Sequence, residues 1–288
     1  MEIEIRQLRK LYKNNKLVLD IDNLKIPHGK CVGIFGSNGS GKSTMLKCLC
    51  GLINYKGTIE YDGKKFCNAM LKNVGIMIET PALYGELNGI ENLKTFVPFA
   101  FDVMPYAIAM GLDECLAKKV NTYSVGMKQK LAFILALLKG KDLIILDEPF
   151  VGMDIVSVNR ALSFLEEKKR DGTTIILTSH QLDVSQKVCD EAYLLSNGKI
   201  NRSVDCHDIS AKEVEIEFTD ECSMDIFVEK GEYNVADING NIVKIMPTDK
   251  QSFQKLLVYV SEFSVKRVED ISGSISGKYL DMMGHDND

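Results

Sequence analysis

An α/β fold built on a parallel sheet is what this sequence predicts for about its first 200 residues, with a small α+β unit after it. Three observations carry that prediction. Short runs rich in Val, Ile and Leu recur with helical patterns between them: CVGIFG (31–36), NVGIMI (73–78), DLIILD (142–147), TTIILTS (173–179) and EAYLLSNGKI (191–200). The middle three lack polar alternation, as strands covered on both faces do. Beyond residue 212 the pattern changes to alternation and a hairpin signal.

Taken in order, MEIEIRQLRKLY alternates apolar and charged residues, which reads as a strand and not a leader peptide. SVGMKQKLAFILALLKG (124–140) and SVNRALSFLEEKKRDG (157–172) read as helices, and NRSVDCHDISAK (201–212) as a polar connector. VEIEF (214–218) is a strand, followed by a short helical stretch. VADINGNIVKIM is a hairpin with Asn239-Gly240 as a type I′ turn signal. TDKQSFQKLLVYVSE is an amphipathic helix capped by Thr248 or Asp249, FSVKRVED a last strand and SGSISGKYLDMMG a last helix. The order β-α-β-β-α-β plus a helix suggests a ferredoxin-like sandwich. Domain boundaries fall at 1–205 and 213–288.

With 288 residues, 45% hydrophobic and 26% charged, the chain has room for one large and one small folded domain. A net charge of −5 argues against a sequence-independent grip on nucleic acid. Its eight cysteines are scattered, with no CxxC pair or zinc-ligand spacing, and read as reduced, mostly buried thiols of a cytosolic protein. The apolar stretch 95–112 contains Asp102, Pro98 and Pro105 and is too broken for a spanning helix.

Two motifs carry chemistry. GSNGSGKST (36–44) follows the strand CVGIF and opens the helix STMLKCLCGL, the strand–loop–helix setting of a phosphate-binding P-loop. Gly36, Gly39 and Gly41 let the backbone curl, and Ser37, Asn38, Ser40 and Thr44 complete the cradle around a nucleotide's phosphates. Lys42 is placed for the β- and γ-phosphates and Ser43 for Mg²⁺. LIILDEPF (143–150) ends a buried strand in two acids, Asp147 suited to Mg²⁺ and Glu148 to a general base. His180 ends the next strand, where it could contact the γ-phosphate and hold the attacking water.

TYSVGMKQK (122–130) holds no acid, histidine or cysteine. Ser124 stands at the N-cap of a long helix with Gly126 permitting close approach, which makes a second anion site. The chain's own nucleotide already has one, so the second makes sense against a γ-phosphate held by another copy. With these motifs in this order, the first 200 or so residues resemble the ATP-binding subunit of an ABC transporter, whose signature motif is usually written LSGGQ. The resemblance implies a head-to-tail dimer, homodimer or related chain, with Ser124, Val125, Gly126 and Met127 as the signature acting in trans. It implies Tyr12 as the adenine-stacking aromatic, residue 79 at the Q-loop, and Gly152-Met153-Asp154 as the D-loop.

Two departures from the family stand out: Val125 and Met127 in the signature, and Glu79 where most members have glutamine. A carboxylate at 79 still serves Mg²⁺ as a hard oxygen donor. Both departures resemble the bacitracin and lantibiotic type of exporters and immunity transporters, which carry a small C-terminal domain, here regulatory or dimerising. The resemblance further implies a helical subdomain at about 86–138, in which stretch 95–112 either docks on a membrane subunit or forms a local core. The expected protein is an ATPase at the cytoplasmic face of the membrane, peripheral, with integral membrane permease subunits as partners and no nucleic acid. The alternative is a soluble ABC ATPase acting on a partner in translation or DNA maintenance. No heptad repeat separates Lys42 from Asp147, which weighs against the chromosome-maintenance class.

Overall fold

A computed structural model describes residues 1–12, 16–78, 83–97, 103–179, 182–185, 187–205, 214–246, 259–260 and 262–270. The chain forms two compact units, Met1–Asp205 and Cys206–Asp288.

In the first unit, β1 (Ile3–Leu11), β2 (Leu17–Ile26), β4 (Lys56–Tyr61) and β5 (Lys64–Lys65) make an antiparallel sheet in the order β2-β1-β4-β5. The sequence reading found only its first strand. Ile3, Ile5 and Leu8 all face the core although the last interval breaks the two-residue period. Gln7 takes a left-handed φ of 51° there, and the register with β4 shifts between Arg6 and Arg9. This bulge absorbs one residue and returns Leu8 to the buried face.

The second sheet has the order β10-β9-β3-β8-β7-β6, from β3 (Cys31–Phe35), β6 (Val74–Met77), β7 (Leu143–Asp147), β8 (Thr174–Ser179), β9 (Glu191–Ser196) and β10 (Lys199–Asp205). β3, β6, β7, β8 and β9 pair in parallel, and every residue of β3, β7 and β8 is buried. The run EAYLLSNGKI is two strands and not one: β9 and β10 pair antiparallel around Asn197 and Gly198, with φ of 49° and 78°. This Asn-Gly pair is the I′-type signal that the reading of a single strand overlooked. Residues 201–205, expected in a connector, continue β10.

Helices α1 (Lys42–Leu49), α4 (Val125–Lys139) and α5 (Ile155–Arg170) pack on this sheet, and α1 also meets β2. One core cluster joins Ile3, Ile5 and Ile21 of the first sheet to Ile34, Met45, Leu46 and Ile145 around the second. Before α4 lie α2 (Gly89–Phe96), opened by an Asn88–Glu91 capping box, and α3 (Met104–Ala109). The stretch 95–112 is described only in part. Ala107, Met110 and Leu112 are buried and Tyr106 packs on Phe164 of α5, whereas Met104 and Ile108 are exposed. Among the described residues no helix is long and apolar enough to cross a membrane. Helix α6 (Leu182–Ser185) precedes β9.

In the second unit, β11 (Val214–Phe218), β12 (Asn234–Asn239), β13 (Ile242–Met246) and β14 (Val265–Asp270) form an antiparallel sheet in the order β12-β13-β11-β14. Helix α7 (Glu221–Lys230) starts at an Asp220 cap, and Phe227 joins Val214, Ile216, Phe218, Val243 and Ile245 in the core. The hairpin forms where expected, but Asn239 pairs with Ile242, so its loop residues are Gly240 and Asn241. Gly240 has a φ of 56°, the pattern of a II′ turn with glycine first. The helix expected after β13 is described only at Tyr259 and Val260, and the last helix lies outside the described residues.

Among the seven described cysteines, all free, Cys31, Cys48, Cys50 and Cys189 are buried. Cys115 is half-buried, and Cys67 and Cys222 are exposed. Burial pushes the Cys48 thiol up to about 11 and the Cys50 thiol to about 12, which keeps both protonated.

Candidate functional site

The site lies at the carboxyl edge of the parallel sheet, where such folds bind ligands. Phe35 at the end of β3 pairs with Ser179 of β8, and Thr178 of β8 with Asp147 of β7. The loop 36–41 and the acids 147–148 therefore leave the sheet from nearly adjacent strands. His180 and Glu79 follow β8 and β6 in sequence and lie outside the described residues.

Gly41 begins α1 with a φ of 112°, a conformation L side chains rarely adopt, and no side chain caps the helix. The first-turn amides have no intrahelical acceptors, so they are available to an anion. Lys42 is buried, and its Nζ donates to the carbonyls of Gly36 (2.8 Å) and Ser37 (3.2 Å), drawing the loop around the amine. Its Nζ also stands 4.0 Å from Glu148 Oε1. The Ser40 hydroxyl is buried without a hydrogen-bond partner, as suits a lining awaiting a ligand. Ser43 and Thr44 are half-buried on the first turn, whereas Ser37, Asn38 and Gly39 are exposed on the loop. Tyr12 follows β1 and is 45% exposed, with Lys10 Nζ 5.0 Å from its ring centroid.

Asp147 is buried, and its Oδ1 accepts a hydrogen bond from Thr178 Oγ1 at 2.5 Å. Glu148 has a φ of 47°, uncommon for a residue with a side chain. Its N–H donates to Thr178 Oγ1 (3.1 Å) and O (3.2 Å), and its carbonyl accepts from Gln129 Nε2 (3.3 Å). These donors suit a nucleotide: amides and an amine for phosphate, hard oxygens for Mg²⁺, and a carboxylate that can take a proton.

Ser124 caps α4, its Oγ accepting from Met127 N at 3.2 Å, and Val125 behind it is 77% exposed. The close approach that Gly126 permits is made within this chain. A Cβ there would stand 2.4 Å from the carbonyl of Gly152, in the segment expected to be the D-loop. Asp154 caps α5 through Ser157 N (2.9 Å) and takes Lys130 Nζ at 2.6 Å. The lysine, then the Ser157 hydrogen bonds, hold its carboxyl well below the usual carboxylate range.

Thr178, Gln129 and Lys130 escaped the sequence reading. Gln129 and Lys130 lie within the stretch 122–130 but two and three places past Met127, the last signature residue, and a threonine inside an apolar run looks like ordinary strand composition. The one signal for Thr178 is its hydroxyl in a run otherwise apolar from Ile175 to Leu177.

The family model described as "ABC transporter" matches residues 19–151, and one for an AAA domain (putative AbiEii toxin, type IV TA system) matches residues 119–184. The lantibiotic transport ATP-binding protein SrtF of Streptococcus pyogenes is 32% identical over 69% of this chain and 88% of its own length. The bacitracin transport ATP-binding protein BcrA of Enterococcus faecalis is 32% identical over 76% of this chain and 75% of its own. The ABC transporter ATP-binding protein YhcH of Bacillus subtilis is 27% identical over 97% and 96%, so this likeness runs through both units. A solved structure of an ATP-binding subunit of an ABC transporter is 29% identical, with a TM-score of 0.65 over 73% of this chain and 92% of that one. The dimeric cassette MJ0796 bound to ADP and Pi shares the fold at a TM-score of 0.63 and 23% identity, over 70% of this chain and 98% of that one. Motifs, fold and relatives agree: the chain belongs to the ABC ATPase family, as an ABC transporter ATP-binding subunit.

Proposed function

We propose that this subunit hydrolyses ATP to drive export of, or immunity to, a peptide antibiotic or similar amphiphile through separate permease chains. The observation that carries hydrolysis is the placing of Asp147 and Glu148 two strands from the P-loop, with Glu148 held 4.0 Å from Lys42. SrtF and BcrA, named for lantibiotic and bacitracin transport, support the cargo class.

In this reading Tyr12 stacks on adenine, residues 36–44 enclose the phosphates, and Lys42 meets the β- and γ-oxygens. Glu148 takes the proton of the attacking water, and His180 holds that water in place. Ser43, Asp147 and Glu79 would hold Mg²⁺, which when bound supplies charge neutralisation at the phosphates. The start of α4 meets the γ-phosphate held by a second copy. Exposed Val125, Val151, Ile155 and Val156 beside it are the apolar surface that the copy covers.

The permease has a candidate seat as well. A pocket of about 250 Å³ opens between β6, α2 and α4, lined by Leu52, Ile76, Ile78, Phe96, Leu135 and Lys139. An apolar turn of a membrane subunit suits it. The ATPase then works at the cytoplasmic face of the membrane as a peripheral subunit. The strand order β12-β13-β11-β14 supports a ferredoxin-like second domain, regulatory or dimerising.

The test is to pull down tagged Glu148→Gln with MgATP from solubilised membranes. A multi-span membrane protein in stoichiometric amount is expected. Ribosomes or DNA-bound proteins in its place would overturn the transport reading and leave the ATPase one.

A further inference from the structure

We propose that Thr178 is the positioning residue of the hydrolytic centre, one hydroxyl that orients Asp147 and fixes the backbone of Glu148 together. This rests on the reading that those two acids carry hydrolysis. Thr178 is fully buried on β8, directly across the parallel ladder from Asp147. A hydroxyl has one proton to give and lone pairs to receive. Here the proton goes to Asp147 Oδ1 at 2.5 Å, and a lone pair takes the Glu148 N–H at 3.1 Å. Both capacities are spent on two consecutive acids.

Packing does not account for this choice. A valine has nearly the same shape and the same strand preference, and its neighbours Ile175, Ile176 and Leu177 are apolar and buried. What valine lacks is the hydroxyl. Glu148 needs that contact because its φ of 47° is sparsely populated, and such a conformation persists only where its surroundings over-determine it. Thr178 holds the N–H side of the residue through its Oγ1 and its carbonyl, and Gln129 Nε2 holds the carbonyl side at 3.3 Å. Without the hydroxyl one of these restraints goes, Glu148 relaxes, and its carboxylate leaves the direction the backbone imposes. Asp147 is freed to rotate in the same event. Thr178 thus acts through its two neighbours and touches no reacting atom.

The experiment compares purified full-length wild type, Thr178→Val, Thr178→Ser and Glu148→Gln. It measures kcat, the dissociation constant of ATP and the Mg²⁺ concentration for half-maximal rate. For Thr178→Val, kcat falls about tenfold or more, as for a small misplacement of catalytic groups, and the Mg²⁺ requirement rises. ATP affinity stays within about twofold, and Thr178→Ser recovers kcat to within about threefold of wild type, because the hydroxyl alone is at stake. A packing role would leave kcat per folded molecule intact and lower only the melting temperature. A loss below about threefold in Thr178→Val, or a serine variant as slow as the valine one, overturns the proposal. Should the valine variant not fold, the pair Thr178→Ala and Thr178→Ser, which differ by the hydroxyl, decides on the same thresholds. Glu148→Gln separates the two readings. If it hydrolyses ATP at the wild-type rate, the role of Glu148 fails and the proposal with it. If it is inactive while Thr178→Val is fully active, only the Thr178 proposal fails.

Discussion

Helix α1 begins at a glycine with no side-chain cap, above a buried lysine whose amine is drawn into the loop. Helix α4 begins at a serine that satisfies one of its own amides, with an exposed valine next to it and the D-loop packed behind it. Each helix leaves its first amides without intrahelical acceptors. The first is enclosed by its own chain and keeps its donors for a ligand. The second is presented outward, packed on Gly152 and tied through Lys130 to Asp154, in the segment that leads away from Glu148. A helix start is therefore not a site in itself. What surrounds it decides whether its amides are turned to its own chain or presented outward.

The sharpest way to break that contrast is to separate chemistry from binding. Glu148→Gln should lower the hydrolysis rate at least about a hundredfold, the usual weight of a general base, with ATP still bound. It should also trap an ATP-bound dimer, seen as a doubled mass in light scattering; a variant that stays monomeric in saturating MgATP would count against a partner for α4. Lys42→Ala comes next. It removes a charged donor and two ties across the loop, so ATP affinity should fall at least about tenfold in a titration of the single chain. Ser124→Arg should leave that titration unchanged and abolish the doubled mass. If it weakens binding to the single chain, the two helix starts do not differ in the way described.

Gly126→Ala probes how firmly α4 is fastened. The added Cβ would meet the Gly152 carbonyl at 2.4 Å, so backbone must shift on one side. Overpacking of this kind costs about 1–3 kcal/mol. Chemical denaturation should show that loss together with slower hydrolysis and unaltered ATP affinity. Unchanged stability would mean that the D-loop yields freely and that α4 is not fastened to it.

How much of this was legible follows the range of each signal. The P-loop and the paired acids are local: strand, loop and helix succeed one another within CVGIFGSNGSGKST, and hydrophobicity marks LIILDE as a buried strand end. The cap at Ser124 is local too. Of the antiparallel sheet only β1 was legible, because β1 pairs with β4 about 50 residues further on, in a register that no short window of sequence contains. Thr178 was hidden for the same reason. Its partners lie about 30 residues away, across a parallel ladder whose register no short window of sequence contains.

The finest test of the fastening is electrostatic. Asp154 caps α5 and takes Lys130 from α4, and its carboxyl is held below the ordinary range, first by that lysine. The Lys130 side chain is 14% exposed but the Asp154 side chain is 56% exposed, so water reaches the ion pair from the aspartate side and screening leaves most of the stabilisation to the cap. Replacing an N-cap aspartate by alanine costs about 1 kcal/mol, the loss expected for Asp154→Ala at pH 7. The sign with pH follows from the lowered value. A carboxylate more acidic in the folded chain stabilises it fully above the unfolded value, near about 3.9. Below that pH the unfolded chain takes up the proton first and the advantage is lost. Urea denaturation of wild type and Asp154→Ala should therefore give a gap that is constant from pH 7 to about pH 5 and narrows toward pH 3. A gap that stays constant through that range would assign the loss to packing and leave Lys130 no part in holding α4 to the D-loop.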